Sequence, residues 1–239
     1  MIETIGFDAD DTLWHNEDLY HNAKESLTLF LADYGEPQEI ISWLDETEVR
    51  NIEYYGYGIK SFTLSMIETA TFISKGQVTG KEISEIISVA KKMLRSPVEL
   101  FEGTEDMLNE LSANYDLMLI TKGDPFEQQR KIELSGITQF FRYVEVVGEK
   151  SEASYRKILG QYKLDPARFM MVGNSLRSDI LPVLKIGGQA VYIPNALTWF
   201  HENASQEEVG EVEYAELERL SQLPRYLASF QQDKKFDGE

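Results

Sequence analysis

Phe7-Asp8-Ala9-Asp10-Asp11-Thr12-Leu13 is the stretch on which the reading of this 239-residue chain turns. It follows a short apolar run, Ile2 to Phe7, that reads as a buried strand. Three carboxylates leaving the end of a strand repel one another, and burying even one unpaired carboxylate is costly. A divalent cation held by oxygen ligands relieves that crowding. A carboxylate in such a site can also attack a phosphoryl group. The stretch therefore predicts a phosphoryl-transfer site at the carboxyl end of the first strand.

Outward from this stretch, the chain first turns helical. Leu19, Ala23, Leu27, Phe30, Leu31 and Tyr34 recur at helical spacing until Gly35 and Pro37. Ile40, Ile41, Leu44 and Ile52 mark a second helix, and Tyr54-Tyr55-Gly56-Tyr57-Gly58 a break. Phe62, Met66, Ile67, Ala70 and Ile73 give a third helix. Thr79-Gly80-Lys81-Glu82 is a capping box opening a fourth, which Pro97 closes. Four helices without an intervening strand predict a helical module, residues 15–96, inserted into a core formed by residues 1–14 and 97–239.

Beyond Pro97 strands and helices alternate. A helix over 104–114 precedes the strand Leu117–Ile120, and Asp124-Pro125 starts the next helix as N-cap and first residue. Strands follow at Tyr143–Val147, Phe169–Val172 and Gln189–Ile193, with helices at Glu152–Tyr162 and from Ser175 to about Gly187. The polar stretch Gln231–Glu239 is expected to fray. This alternation predicts an α/β fold, a Rossmann-like parallel sheet flanked by helices with an inserted α-helical domain. In such sheets the site lies at the carboxyl ends of the strands. Asp8, Asp10, Thr121, Lys122, Lys150, Asn174 and Asp179 all fall there.

Composition narrows the chemistry. Cysteine is absent, which excludes disulfides, thiolate metal sites and cysteine nucleophiles. Three histidines, His15, His21 and His201, are too few and too scattered for a multi-histidine metal site. A net charge of −18 argues against nucleic acid as a partner, although a small anion needs only a local positive pocket. No apolar run is long enough to span a bilayer and no signal pattern opens the chain, so a cytoplasmic location and no membrane partner are expected. The sequence does not set the oligomeric state.

The four ordered clusters together resemble the haloacid dehalogenase-like hydrolase superfamily, in its phosphatase branch. Its first motif, Asp-x-Asp-x-Thr, matches Asp8-Ala9-Asp10-Asp11-Thr12; its second, a Thr or Ser at a strand end, matches Thr121; its third matches Lys150; its fourth matches Gly173-Asn174-Ser175 with Asp179. The resemblance implies Asp8 as nucleophile, Asp10 as general acid and base, and Lys150 as the cation that neutralises the reacting pair. It implies substrate binding by Thr121, with Lys122 beside it. It implies Mg²⁺ held by Asp8, the Asp10 carbonyl, Asp179 and Asn174. It makes the helical insert a cap that contacts the leaving group. The fourth motif usually opens with Asp, so Asn174 implies weaker metal binding. The expected function is Mg²⁺-dependent hydrolysis of a small phosphorylated metabolite through an aspartyl-phosphate. Two alternatives stand beside it: a 2-haloacid dehalogenase, against which Asp10 argues, and a non-catalytic binding protein, for which only Asn174 speaks.

Taken singly, several of these residues have plainer readings. Asp11 reads as a structural cap, Asp179 as an acid favoured in a helix's first turn, and Lys122 equally well as a surface lysine. Arg177 is open between the pocket and solvent. Tyr54, Tyr55 and Tyr57 read as core packing of the helical module, with substrate recognition the alternative.

Overall fold

The computed structural model describes residues 1–210 and 212–236. The chain divides into two compact units. The first, of residues 1–15, 98–122 and 128–239, holds a parallel sheet of strands β1 (Thr4–Phe7), β2 (Asp116–Lys122), β3 (Tyr143–Val147), β4 (Phe169–Gly173), β5 (Gln189–Tyr192) and β6 (Ala215–Glu216). Their order is β3-β2-β1-β4-β5-β6, which places the first strand centrally. Thr4 pairs with Asp116 on one side and Phe169 on the other.

Alternation along the strands builds two cores, one on each face. Ile5, Phe7, Leu117, Leu119, Met170 and Val172 face one way. They pack with helices α5 (Thr104–Ser112), α6 (Pro125–Leu134) and α10 (Leu223–Phe236) through Leu108, Ile132 and Leu223. Met118, Ile120, Phe169 and Met171 face the other way. They meet α7 (Glu152–Tyr162) and α8 (Leu181–Lys185) through Tyr155, Leu159 and Val183. Gly6 is tied to this packing, because a Cβ there would come within 2.5 Å of the Phe169 ring.

The second unit is residues 16–97 together with 123–127. It contains α1 (Glu17–Phe30), α2 (Pro37–Tyr55), α3 (Ile59–Ile73) and α4 (Gly80–Arg95) around a core of Leu27, Leu31, Ile40, Leu44, Phe62, Met66 and Ile86. The Thr79–Glu82 capping box forms as the sequence predicts. At the start of α3 the Glu127 carboxylate accepts from the amides of Ile59 (2.8 Å) and Lys60 (3.3 Å). Gly58, at φ 107°, leaves room for this cap, because a Cβ there would lie 2.7 Å from the Glu127 carboxylate.

Several elements depart from expectation. β2 runs on through Thr121 and Lys122, because its pairing with β3 continues to Val147. The helix expected from Ser175 opens with a π-helical turn, Leu176–Ile180, before α8. A short helix α9 (Gln206–Val209), the two-residue β6 and α10 were not anticipated. Gln231–Phe236, expected as a frayed tail, continue α10, and 237–239 lie outside the described residues. Tyr54 and Tyr55 end α2 and are 70% and 48% exposed, so they are not core residues. Among the described residues no helix is long and apolar enough to cross a membrane.

Candidate active site

The chain leaves β1 in a tight loop that places two carboxylates differently. Asp8 continues the ladder, its amide donating to Val172 O at 2.9 Å. The amides of Thr12, Leu13 and Trp14 then converge on the Ala9 carbonyl (3.3, 2.8 and 3.3 Å). Asp11 takes a left-handed φ of 61°, a conformation that Asp tolerates better than most residues. Its amide donates to Trp14 O (2.8 Å) and its carbonyl accepts from Asn195 Nδ2 (3.3 Å), so Asp11 shapes the loop.

Asp8 and Asp179 are both buried, and Lys150 lies between them. Its ammonium donates to Asp8 Oδ1 at 2.5 Å and to Asp179 Oδ1 at 2.7 Å. The remaining oxygens are also engaged: Asp8 Oδ2 accepts from Thr12 Oγ1 (3.0 Å) and Asp179 Oδ2 from the Ser175 amide (3.1 Å). Thr12 also reaches Asn174 Oδ1 at 3.3 Å, which brings Asn174 into the cluster. The π-helical turn carries Asp179 back against the strand end. A Cβ on Gly173 would sit 2.2 Å from Asp179 Oδ2, so only glycine fits there.

One cation serves two buried acids. Burial is the largest influence on each carboxyl and raises both, against the pull of Lys150, and Asp179 is pushed up to about 7. Burial works against the charged form of Lys150, but Asp179 and Asp8 outweigh it and hold the ammonium protonated.

Asp10 points into a different set of partners. Its carboxylate accepts from Trp14 Nε1 (2.6 Å), from Lys131 Nζ at both oxygens (2.6 Å each) and from Gln128 Nε2 (2.9 Å). The same Gln128 amide lies 2.5 Å from Thr121 Oγ1 and 3.1 Å from the Lys122 carbonyl. Asp10 and fully buried Thr121 are therefore joined through α6. Lys122 turns toward Ser178 Oγ (3.1 Å) and pairs with Glu202, so it is not a free surface lysine. Glu202 also accepts from Ser175 Oγ (2.6 Å) and Ser178 Oγ (2.5 Å). Its burial favours the neutral form, but Lys122 and the two hydroxyls win and hold it at about 2. Arg177 is drawn off to His201 O and Glu208.

The sequence reading missed Trp14, Gln128, Lys131 and Glu202. Gln128 and Lys131 stand three apart on α6, a spacing that looks like a solvated helix face. Glu202 lies in an irregular segment without periodicity.

The oxygen donors at the strand ends are the Asp8 and Asp179 carboxylates, the Asn174 amide oxygen and the Asp10 carbonyl. Among the described residues no group of three or more His, Asp or Glu is placed to hold a metal ion. Mg²⁺ is ordinarily bound by one or two carboxylates with waters completing its shell, so this all-oxygen set fits it.

Comparison with known proteins agrees with this architecture. The haloacid dehalogenase-like hydrolase family matches residues 2–187. A haloacid dehalogenase-like family hydrolase from Xanthomonas campestris is 35% identical, with a TM-score of 0.85 over 99% of this chain and 94% of its own. The N-acylneuraminate-9-phosphatase of Homo sapiens is 26% identical over 84% of each chain. The glyceraldehyde 3-phosphate phosphatase of Methanothermobacter thermautotrophicus is 27% identical over 83% of this chain and 88% of its own. A central strand ending in Asp8, with Thr121, Lys150 and Asp179 on neighbouring strand ends, is what the matched region contains, and the chain belongs to the haloacid dehalogenase-like hydrolase family.

Proposed function

We propose that this hydrolase is an Mg²⁺-dependent phosphatase that cleaves a small phosphorylated metabolite through an aspartyl-phosphate on Asp8. The observation that carries the reading is the buried bridge from Asp8 through Lys150 to Asp179, with a second carboxylate, Asp10, two residues beyond the first. The similarity to two proteins named as phosphatases supports it.

Asp8 attacks phosphorus, an Oδ–P bond forms, and the ester P–O bond breaks with its electron pair on the leaving oxygen. Asp10 gives that oxygen a proton. In the second half-reaction Asp10 takes a proton from water as the water attacks phosphorus and Asp8 is released. Thr121 Oγ1 accepts from Gln128, which leaves its own proton for a phosphoryl oxygen. Lys150 offsets the charge that gathers between Asp8 and the phosphoryl group. Mg²⁺ held by Asp8, Asp179, the Asp10 carbonyl and Asn174 would supply further neutralisation of the phosphoryl oxygens. The helical unit is assigned the role of the cap that selects the leaving group, with exposed Tyr54 and Tyr55 as candidate contacts.

Dehalogenation is the less favoured reading. Halide needs no proton on leaving, so the second carboxylate, Asp10, would have no task in that reaction. The deciding experiment is a screen of aryl phosphates, phosphorylated sugars, nucleotides and small phosphorylated acids with Mg²⁺, with Asp8→Asn as control. Phosphate release abolished in the variant is expected. An inert wild-type enzyme that instead releases chloride from a 2-haloacid without metal would replace the reading.

A further inference from the structure

The side chains that surround Asp10 come from outside the four motif clusters. Lys131 Nζ stands 2.6 Å from both of its oxygens, Trp14 Nε1 2.6 Å from Oδ1 and Gln128 Nε2 2.9 Å from Oδ2. Gln128 is 2% exposed and Trp14 fully buried. A surface ion pair between Lys131 and Asp10 would contribute little and would not need a buried amide beside it. Gln128 does more than fill space, because the same amide contacts the oxygen of Thr121. One face of α6 thus fixes both Asp10 and the hydroxyl assigned to the phosphoryl group.

We infer that Lys131 and Gln128 are positioning residues, which hold the Asp10 carboxyl in one orientation and in register with Thr121 for proton delivery to the leaving oxygen. This rests on the phosphatase reading above. Proton delivery demands a donor within hydrogen-bond reach of the oxygen, and a short acidic side chain at a loop has two torsions to fix. Lys131 contacts both carboxylate oxygens and so restricts the second torsion, while Trp14 and Gln128 restrain one oxygen each. In the step, the proton passes from Asp10 to the leaving oxygen as the P–O bond breaks, and the resulting carboxylate rests against Lys131.

The test uses the full chain with Mg²⁺ and a series of phenyl phosphates that differ only in the para substituent. Esters with acidic phenols leave without help, and those with basic phenols need the proton. Lys131→Met should lower kcat/KM, which reports the first half-reaction, by about tenfold or more on the most basic leaving group and far less on p-nitrophenyl phosphate, because general acid catalysis contributes about 10²–10⁴-fold where it is needed. Gln128→Leu should act in the same direction, and Lys131→Arg should recover most of the loss. In an Asp10→Asn background Lys131→Met should add nothing. A loss of kcat/KM that is uniform along the series, or one that adds fully to Asp10→Asn, would show a merely structural role and overturn the inference. Thermal melts of Lys131→Arg and Lys131→Met separate misfolding from this outcome. A wild-type enzyme inert on every ester overturns the phosphatase reading itself, a result distinct from a uniform loss.

Discussion

Lys150 holds together two acids that would otherwise repel each other in a buried site. Removing one partner from a buried charge network leaves the others uncompensated, at a cost of about 3–5 kcal/mol. Lys150→Met is expected to lower the melting temperature markedly and to abolish turnover, as thermal melts and phosphate release would show. Asn174 bears on the same balance with the opposite sign. Asn174→Asp adds a third carboxylate to the donor set, so Mg²⁺ should bind about tenfold more tightly, within the range that ligand-shell changes usually span. Calorimetry that found equal or weaker binding would remove Asn174 from the proposed metal shell. At this scale the sequence was readable where chemistry repeats at strand ends. Asp8, Lys150 and Asp179 meet because each follows a strand of one parallel sheet, and strand ends can be located from apolar runs. Gln128 and Lys131 were not readable, because their partner Asp10 lies more than a hundred residues from α6 and no local period records such a meeting.

Among the elements, the π-helical turn and the strand before it act as one part. Gly173→Ala would drive a methyl group into Asp179, and the expected result is a near-complete loss of phosphatase activity with a smaller loss of stability, about 1–3 kcal/mol for overpacking. A variant with wild-type kcat would mean that Asp179 can move without consequence. The segment after β5 is held through Glu202, and its hold depends on pH. Because the folded protein keeps this carboxyl at about 2, below an ordinary value of 4.5, its contribution is complete above about 4.5 and fades as pH falls toward 2. Fluorescence of Trp199, a few residues away, should report that loosening, and Glu202→Gln should remove its pH dependence. Helices α1 to α7 and five of the strands were legible because apolar period and caps are local signals. β6 was not, since two residues carry no period. Leu220, just before α10, and Leu223 and Leu227 within it have helical spacing and enter the core, but the polar residues beyond them concealed the helix.

For the whole molecule, charge sets the pH response. Glu48 in the helical unit is pushed up to about 7, burial outweighing the pull of Lys24, and Asp179 reaches about 7 for the same reason. A carboxyl raised in the folded state favours folding increasingly as pH falls from about 7 toward its ordinary value near 4. The net charge of −18 also shrinks in that range and relieves self-repulsion. Stability should therefore rise between pH 8 and about 5 and fall again below about 4.5, where Glu202 is lost. Thermal melts across that range check this, and Glu48→Gln should flatten the rise above pH 5. The inserted helical arrangement could be read from the run of four helices, whereas the participation of residues 123–127 in that unit could not. Finally, the central place of β1 has a consequence for synthesis. The strand that carries Asp8 is made first, yet its neighbours begin at Asp116 and Phe169. The four helices of residues 16–97 follow one another closely in sequence and can form early, while at about 5–20 residues per second the first strand waits roughly 10–30 seconds for its second neighbour. On the ribosome, then, Asp8 is made before the strands that flank it, yet is fully enclosed by the sheet only after Phe169 and its strand have followed.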